Sequence, residues 1–377
     1  MTTTTSEAGA DVSALFQPFT IKGLTLKNRI VMAPMTRGRS PNGIPTEENA
    51  AYYRRRAEHD VGLIVSEGTL IPRKGAADSP NYPLFWGEEA LAGWQRTIDA
   101  VHAVGGKMAP QLWHLGMSRK PGTGHFPDAP SDGPSGVTLS GKKIGEEPSE
   151  EEVLAYAQAY ADAAADAKRL GFDAIELHGA HSYLIDEFFW PVTNHRTDRF
   201  GGSIEKNAEF AAETIRRTRK AIGDLPLIIR ISQWKSVDYN ARIATTPQEM
   251  ERWVKVLVDA GVDMIHCSQR RIWEPEFPEI DGEKGLNFAG WVKKLSGLPT
   301  ISVGSVGLSS EFTASFRGEG SAKGDLSNAI ERLEKGEYDL VAVGRALLQD
   351  PEWATKVKEG RWDDLKDYDG AAIQNYF

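Results

Sequence analysis

Short apolar runs punctuate the chain, each followed by a stretch of helical period, and this alternation limits the fold more than any other feature. The runs are Arg29-Ile30-Val31-Met32-Ala33, Gly62-Leu63-Ile64-Val65, Met108-Ala109-Pro110-Gln111-Leu112 and Ala174-Ile175-Glu176-Leu177. They continue with Leu227-Ile228-Ile229-Arg230-Ile231, Met264-Ile265-His266-Cys267, Thr300-Ile301-Ser302-Val303 and Leu340-Val341-Ala342-Val343. They start roughly 30–65 residues apart, which suits successive βα units. Strands that read as near-continuous hydrophobic runs are buried on both faces, which implies a parallel sheet. About eight such units predict an α/β fold, a (β/α)8 TIM barrel. A doubly wound sheet would want a Gly-x-Gly-x-x-Gly turn after an early strand, and none is present.

The connecting helices carry their own signals. Glu150 to Leu170 is Ala-rich with Gly171 as a stop. Ser203 is expected to open a helix that closes near Gly223, and Thr246-Pro247-Gln248-Glu249 to open one that ends at Gly261. Asp350-Pro351-Glu352 repeats the cap-and-proline pattern. From Gly116 to Pro148 no helical period runs, and Gly, Pro and Ser are frequent, so a loop or hairpin excursion is expected after the third strand. Long Trp-bearing connections, 233–244 and 269–284, follow later strands and are placed to shape a pocket.

The Thr-rich start lacks the apolar core of a signal peptide, so residues 1–13 are expected to be a disordered tail and 14–377 one domain. A net charge of −9 argues against nucleic acid as partner, and no basic run suggests a membrane surface. A single cysteine, Cys267, forms no internal disulfide and holds no iron–sulfur cluster, which fits a cytoplasmic location. A small-molecule partner, with the chain as monomer or homodimer, is expected.

Chemistry in TIM barrels sits at the C-terminal ends of the strands. Here those ends are Ala33-Pro34-Met35-Thr36-Arg37, Ser66-Glu67-Gly68-Thr69, Gln111-Leu112-Trp113-His114, His178-Gly179-Ala180-His181-Ser182-Tyr183, Arg230, Gly304-Ser305-Val306-Gly307 and Gly344-Arg345. In the fourth, two imidazoles and a phenol fall within six residues. A continuing strand would point His178 and His181 apart, so a turn is expected, with Gly179 supplying the break in the pleat. Such a turn can grip an oxygen and deliver a proton. A purely structural role is the plain alternative, and zinc would need further ligands that the sequence does not offer, so no metal is expected. The Gly turn after the seventh strand and Gly344-Arg345 after the eighth suit a phosphate group; ordinary tight turns are the alternative. Gln111 and Arg230 suit the amide-like edge of an electron-rich ring such as a flavin pyrimidine, with a buried ion pair as the alternative for Arg230.

In combination these motifs resemble the old yellow enzyme family of FMN-dependent NAD(P)H:ene-reductases and xenobiotic reductases. Lys27-Asn28-Arg29-Ile30-Val31-Met32-Ala33-Pro34-Met35-Thr36-Arg37, Glu67-Gly68-Thr69, Gln111-Leu112-Trp113-His114-Leu115-Gly116 and the His178–Tyr183 turn carry the resemblance. So does Asn194-His195-Arg196-Thr197-Asp198-Arg199-Phe200-Gly201-Gly202-Ser203, and the likeness extends from Leu15 to about Trp353. It implies an FMN-binding barrel with NADPH or NADH as hydride donor. Ala33, Pro34, Met35, Thr36, Gly68, Gln111 and Arg230 would surround the ring system; Gly304, Ser305, Gly344 and Arg345 would take the phosphate. His178 and His181, beside Trp113, would hold the oxygen of an enone, nitro compound or nitrate ester, and Tyr183 would be the proton donor. The implied reaction is a ping-pong hydride transfer that reduces an activated C=C bond. Thr36 stands where some relatives have Cys, and His181 where others have Asn. Two other readings are a non-catalytic FMN protein and a phosphosugar isomerase or aldolase; the latter lacks a lysine at a strand end, since Lys107 lies at a strand start.

Overall fold

A computed structural model describes residues 11–311 and 319–377. The expected tail over 1–13 lies mostly outside these residues, and Ser13 opens a short 3-10 turn to Phe16. Eight parallel strands close on one another: β3 (Ile30–Met32), β4 (Leu63–Leu70), β5 (Met108–Trp113), β6 (Ile175–Gly179), β7 (Leu227–Ser232), β8 (Met264–Ser268), β9 (Thr300–Val303) and β10 (Leu340–Val343), which pairs back to β3. All of them are buried along their length, as a sheet covered by helices outside and filled inside must be. The chain is therefore a (β/α)8 barrel.

Register aligns the polar positions. His178 lies opposite Arg230 and Arg230 opposite His266. Gln111 lies opposite Glu176, two residues before His178 and so on the same face. In β4 the polar segment expected to follow the strand lies inside it. A register shift between Val65 and Gly68 re-aims it, and pairing resumes at Gly68 with Gln111.

A hairpin without counterpart in the sequence reading precedes the barrel. β1 (Phe19–Ile21) and β2 (Leu24–Leu26) are joined by Lys22 and Gly23, both at positive φ, as the tight two-residue turn requires. Phe19, Ile21 and Leu24 pack on the cluster of Leu26, Val31, Leu63, Ala174, Ile228, Met264 and Leu340. Several of these stand at the first positions of their strands, so the hairpin covers the N-terminal end of the barrel and leaves the other end as the mouth.

Glu150–Leu170 runs as expected: Ser149 Oγ accepts the Glu152 N–H at its start and Gly171 ends it at φ +89°. Pro247–Ala260 is likewise capped by Thr246 and ended by Gly261. The helix expected from Ser203 divides into Ile204–Asn207 and Glu209–Ile222, because Ala208 N–H is shared between the Ile204 and Glu205 carbonyls in a tightened turn. After Asp350 the helix starts at Trp353 rather than at Pro351; Asp350 accepts the Glu352 N–H at 3.1 Å and pairs with Lys356 at 2.7 Å.

The excursion after β5 is a loop with a small hairpin at Val137–Lys143. It is fastened through Asp132, whose carboxylate takes His114 Nε2 at 2.8 Å and two Arg73 nitrogens at 3.0 Å. His114 Nδ1 accepts the Gly116 N–H, which leaves Nε2 as the donor to Asp132. Burial opposes the charge on Asp132, but His114 and then Arg73 outweigh it and hold the pKa at about 2. A folded-state pKa below the unfolded value gives stability that is complete above about pH 4 and is lost as pH falls toward 2. Asp132→Asn should therefore cost about 2–3 kcal/mol at neutral pH and flatten the acid limb of a urea-denaturation profile between about pH 4 and 2. An unchanged acid limb would refute this role.

Candidate active site

The mouth of the barrel holds a cavity of about 580 Å³. Its lining draws on every part of the predicted set: Ala33, Pro34, Met35 and Thr36 after β3, Gln111 and Trp113 from β5, His178 and Arg230 from β6 and β7. His181 and Tyr183 join from the turn, Gly304 and Ser305 from after β9, and Gly344 and Arg345 from after β10. Gly68 is the exception. It does not line the cavity: a Cβ there would sit 2.6 Å from the Trp113 ring, so its lack of a side chain makes room for Trp113.

The turn after β6 differs in detail from expectation. Gly179 stays in the strand, where a Cβ would lie 2.9 Å from the Arg230 carbonyl. His181 and Ser182 make the break instead, at φ +64° and +65°. Each non-glycine residue in this region costs of order 1–3 kcal/mol and persists only where its surroundings impose it. The reversal brings the three rings together, with centroids 5.1 Å apart for His178–His181, 4.9 Å for His178–Tyr183 and 6.5 Å for His181–Tyr183. Trp113 meets Tyr183 edge-on at 5.0 Å, and Trp234 stacks on His181 at 4.6 Å.

Electrostatics assign the protonation states. Burial, then the Arg230 charge, pushes both imidazoles well below the usual 6.5, so both are neutral at physiological pH. His178 Nδ1 accepts the Ala180 N–H at 3.3 Å, which leaves its proton on Nε2. His181 Nε2 is 2.7 Å from Ser268 Oγ. Burial, aided by Tyr82 and Asp78, raises Tyr183 to about 12, so the phenol keeps its proton. Burial lowers Arg230 to about 10, still cationic at neutral pH.

Several contributors stand outside the expected set of site residues. Glu176 accepts Gln111 Nε2 at 2.9 Å and pairs with His266 Nδ1 at 2.7 Å, all inside the barrel. Glu67 Oε2 accepts the N–H groups of Arg37 and Gly38 at 3.0 and 3.2 Å, pinning the segment that carries Thr36. Tyr82, Tyr239, Arg270 and Tyr368 also line the cavity. Only register and loop packing bring these positions to the site. Lys107 is paired with Asp173 at 3.0 Å, away from the mouth.

The donor set fits FMN. Arg230 Nε is buried with no hydrogen-bond partner among the described residues, a cationic donor suited to an electron-rich ring edge. Because Glu176 takes one N–H of Gln111, the amide oxygen of Gln111 remains to accept from a ring N–H. At the other end, Ser305 Oγ bonds the Arg270 and Ser310 carbonyls, so the Gly304-Ser305 turn offers its main chain to a phosphate. Arg345 stands beside it, donating to the Ser310 carbonyl at 2.5 Å.

This fold and cavity define an FMN-dependent NAD(P)H oxidoreductase of the βα-barrel class. The model of the NADH:flavin oxidoreductase / NADH oxidase family matches residues 14–364, and the chain belongs to that family, the old yellow enzyme family. It is 34% identical to an NADPH dehydrogenase of Bacillus subtilis (strain 168) over 343 residues, 90% of this chain and 93% of that one. It is 35% identical to an NADH oxidase of Thermoanaerobacter brockii over 364 residues, 93% of this chain but 52% of that relative, so it spans about half of that protein. Among solved structures, morphinone reductase in complex with tetrahydroNAD superposes with a TM-score of 0.78 at 26% identity, covering 95% of this chain and 93% of the other. The old yellow enzyme homologue from Zymomonas mobilis gives 0.75 at 26% identity, with 94% of each chain covered. Among the described residues no helix is long and apolar enough to cross a membrane.

Neutral imidazoles have a consequence in solution. The imidazole 15N NMR signals of His178 and His181 should stay level between about pH 6 and 9, since these histidines take up protons only well below the ordinary value near 6.5. A titration of either residue's signals with its midpoint near 6.5 would contradict it.

Proposed function

We propose that this oxidoreductase reduces the activated C=C bond of α,β-unsaturated carbonyl compounds, and takes nitro compounds or nitrate esters in the same site, by a ping-pong cycle. The observation that carries this reading is the convergence of two neutral imidazoles and a protonated phenol on the cavity that also holds Gln111, Arg230 and the Gly304-Ser305 turn. Bound FMN, reduced by NADPH or NADH, supplies the hydride.

The chain's own residues orient the acceptor and move the proton. His178 donates from Nε2 to the substrate oxygen, and His181 completes the grip from the other side of the turn. Neutral donors aimed at that oxygen gain strength as it acquires enolate charge, roughly 3–4 kcal/mol each by analogy with oxyanion-hole donors. A nitro or nitrate oxygen presents the same acceptor to the same donors. Tyr183 holds its proton up to a pKa of about 12 and so remains a donor across the physiological range. It gives that proton to the α-carbon as negative charge builds there, on the face away from the cofactor. Trp113, against Tyr183, walls the cavity on this face.

Purified protein should be yellow and release FMN on denaturation. In Tyr183→Phe, stopped-flow reduction of the bound FMN by NAD(P)H should be nearly unchanged, while reoxidation by cyclohexenone slows at least about a hundredfold. Equal loss in both half-reactions would remove Tyr183 as the proton donor.

A further inference from the structure

The oxygen grip depends on a turn that its own residue types disfavour, and neighbouring segments hold it in place. Every main-chain polar group of Ser182, and its hydroxyl, is engaged. Its N–H donates to Asp186 Oδ2 at 2.7 Å and its carbonyl accepts Ser118 Oγ at 2.8 Å. Its Oγ accepts the Ser236 N–H at 3.0 Å. The His181 N–H donates to Ser232 Oγ at 3.1 Å.

Asp186 is the centre of this arrangement. It lies in the first turn of the short helix Leu184–Phe189 and reaches back past Tyr183 to the Ser182 N–H. Its second oxygen takes Lys235 Nζ at 2.5 Å, and both side chains are fully buried, 0% exposed. Neither lines the cavity. Lys235 follows Trp234, the ring stacked on His181, so the ion pair ties the turn after β6 to the loop after β7. The Lys235 N–H and carbonyl both bond to Asp238, which fixes the lysine's backbone.

A buried ion pair is a poor device for stability alone, since desolvating both charges offsets their attraction and a well-packed apolar pair often does as well. An apolar pair, however, offers no acceptor to the Ser182 N–H. That difference points to a task in the turn rather than in the core. We propose that Asp186, its buried charge balanced by Lys235, is a positioning residue: it holds the left-handed His181-Ser182 turn and thereby keeps the His181 ring against Trp234 in the oxygen site. The proposal rests on the reading of His178 and His181 as the oxygen grip.

Two paired substitutions in the FMN-bound protein separate the acceptor from the charge. Asp186→Asn with Lys235→Met removes both charges and keeps an acceptor for the Ser182 N–H. Asp186→Leu with Lys235→Met removes the acceptor as well. Phenol is the probe, titrated by its long-wavelength charge-transfer absorbance, with thermal unfolding measured alongside and His181→Ala as control. The Asn/Met protein should bind phenol within about threefold of the parent, whereas the Leu/Met protein and His181→Ala should each bind at least about tenfold more weakly. A purely structural pair would shift unfolding temperatures without separating the two phenol affinities, and equal affinities would overturn the proposal. If the Leu/Met protein does not fold, the Asn/Met protein decides alone: a tenfold loss with the acceptor present would overturn it. Unchanged phenol binding in His181→Ala would instead overturn the grip, and the proposal with it. A weakened His181→Ala beside an unweakened Leu/Met protein would overturn only the role of Asp186.

Discussion

Closing eight parallel strands on one another is the constraint from which the rest of this molecule follows. With no free edge, every strand is buried on both faces, and polar side chains inside the barrel must satisfy one another or serve the mouth. Glu176 does the first by bonding both Gln111 and His266, and Gln111, His178 and Arg230 do the second by lining the mouth. The hairpin β1–β2 covers one end, so the other is left for chemistry. The strained turn at His181-Ser182 then directs two rings that strand geometry alone would send apart.

The electrostatics share one cause. Burial suppresses charge on both imidazoles and on the Tyr183 phenol, while Arg230 stays cationic despite it. The cavity therefore sets neutral imidazoles and a neutral phenol beside the cationic Arg230. That setting is what the proposed reaction needs, since an enone or nitro group becomes negative only as it accepts hydride. The family match and the relatives named NADPH dehydrogenase and NADH oxidase agree with a nicotinamide cofactor as the source of electrons.

Much of this was legible in the sequence because it is local. Apolar runs announce strands, Thr246 announces a helix start and Gly171 a helix end, and the strand ends carry the polar motifs. What was not legible depends on register or on distant packing. The resemblance puts Gly68 among the cofactor residues, whereas in the fold it makes room for the Trp113 ring and does not line the cavity, a cross-strand neighbourhood set by the register shift in β4. Gly179 looked like the residue that breaks the pleat; the break falls on His181 and Ser182 because Asp186, Ser118, Ser232 and Ser236 hold them there. The hairpin did leave a local trace, a Lys-Gly pair between two short alternating segments. Its strands, three residues each, are too short for periodicity to mark.

The central claim is that hydride and proton reach the substrate from opposite faces, the proton through a phenol fixed above the oxygen grip. Reduction of 3-methylcyclohexenone, whose β-carbon becomes a stereocentre, by the FMN-bound protein in deuterium oxide with unlabelled NAD(P)H tests it most directly, with the product analysed by NMR. The account predicts one deuterium at the α-carbon, anti to the hydrogen delivered to the β-carbon. A product deuterated on the same face as the added hydrogen, or with scrambled faces at the α-carbon before any enolisation, would contradict it.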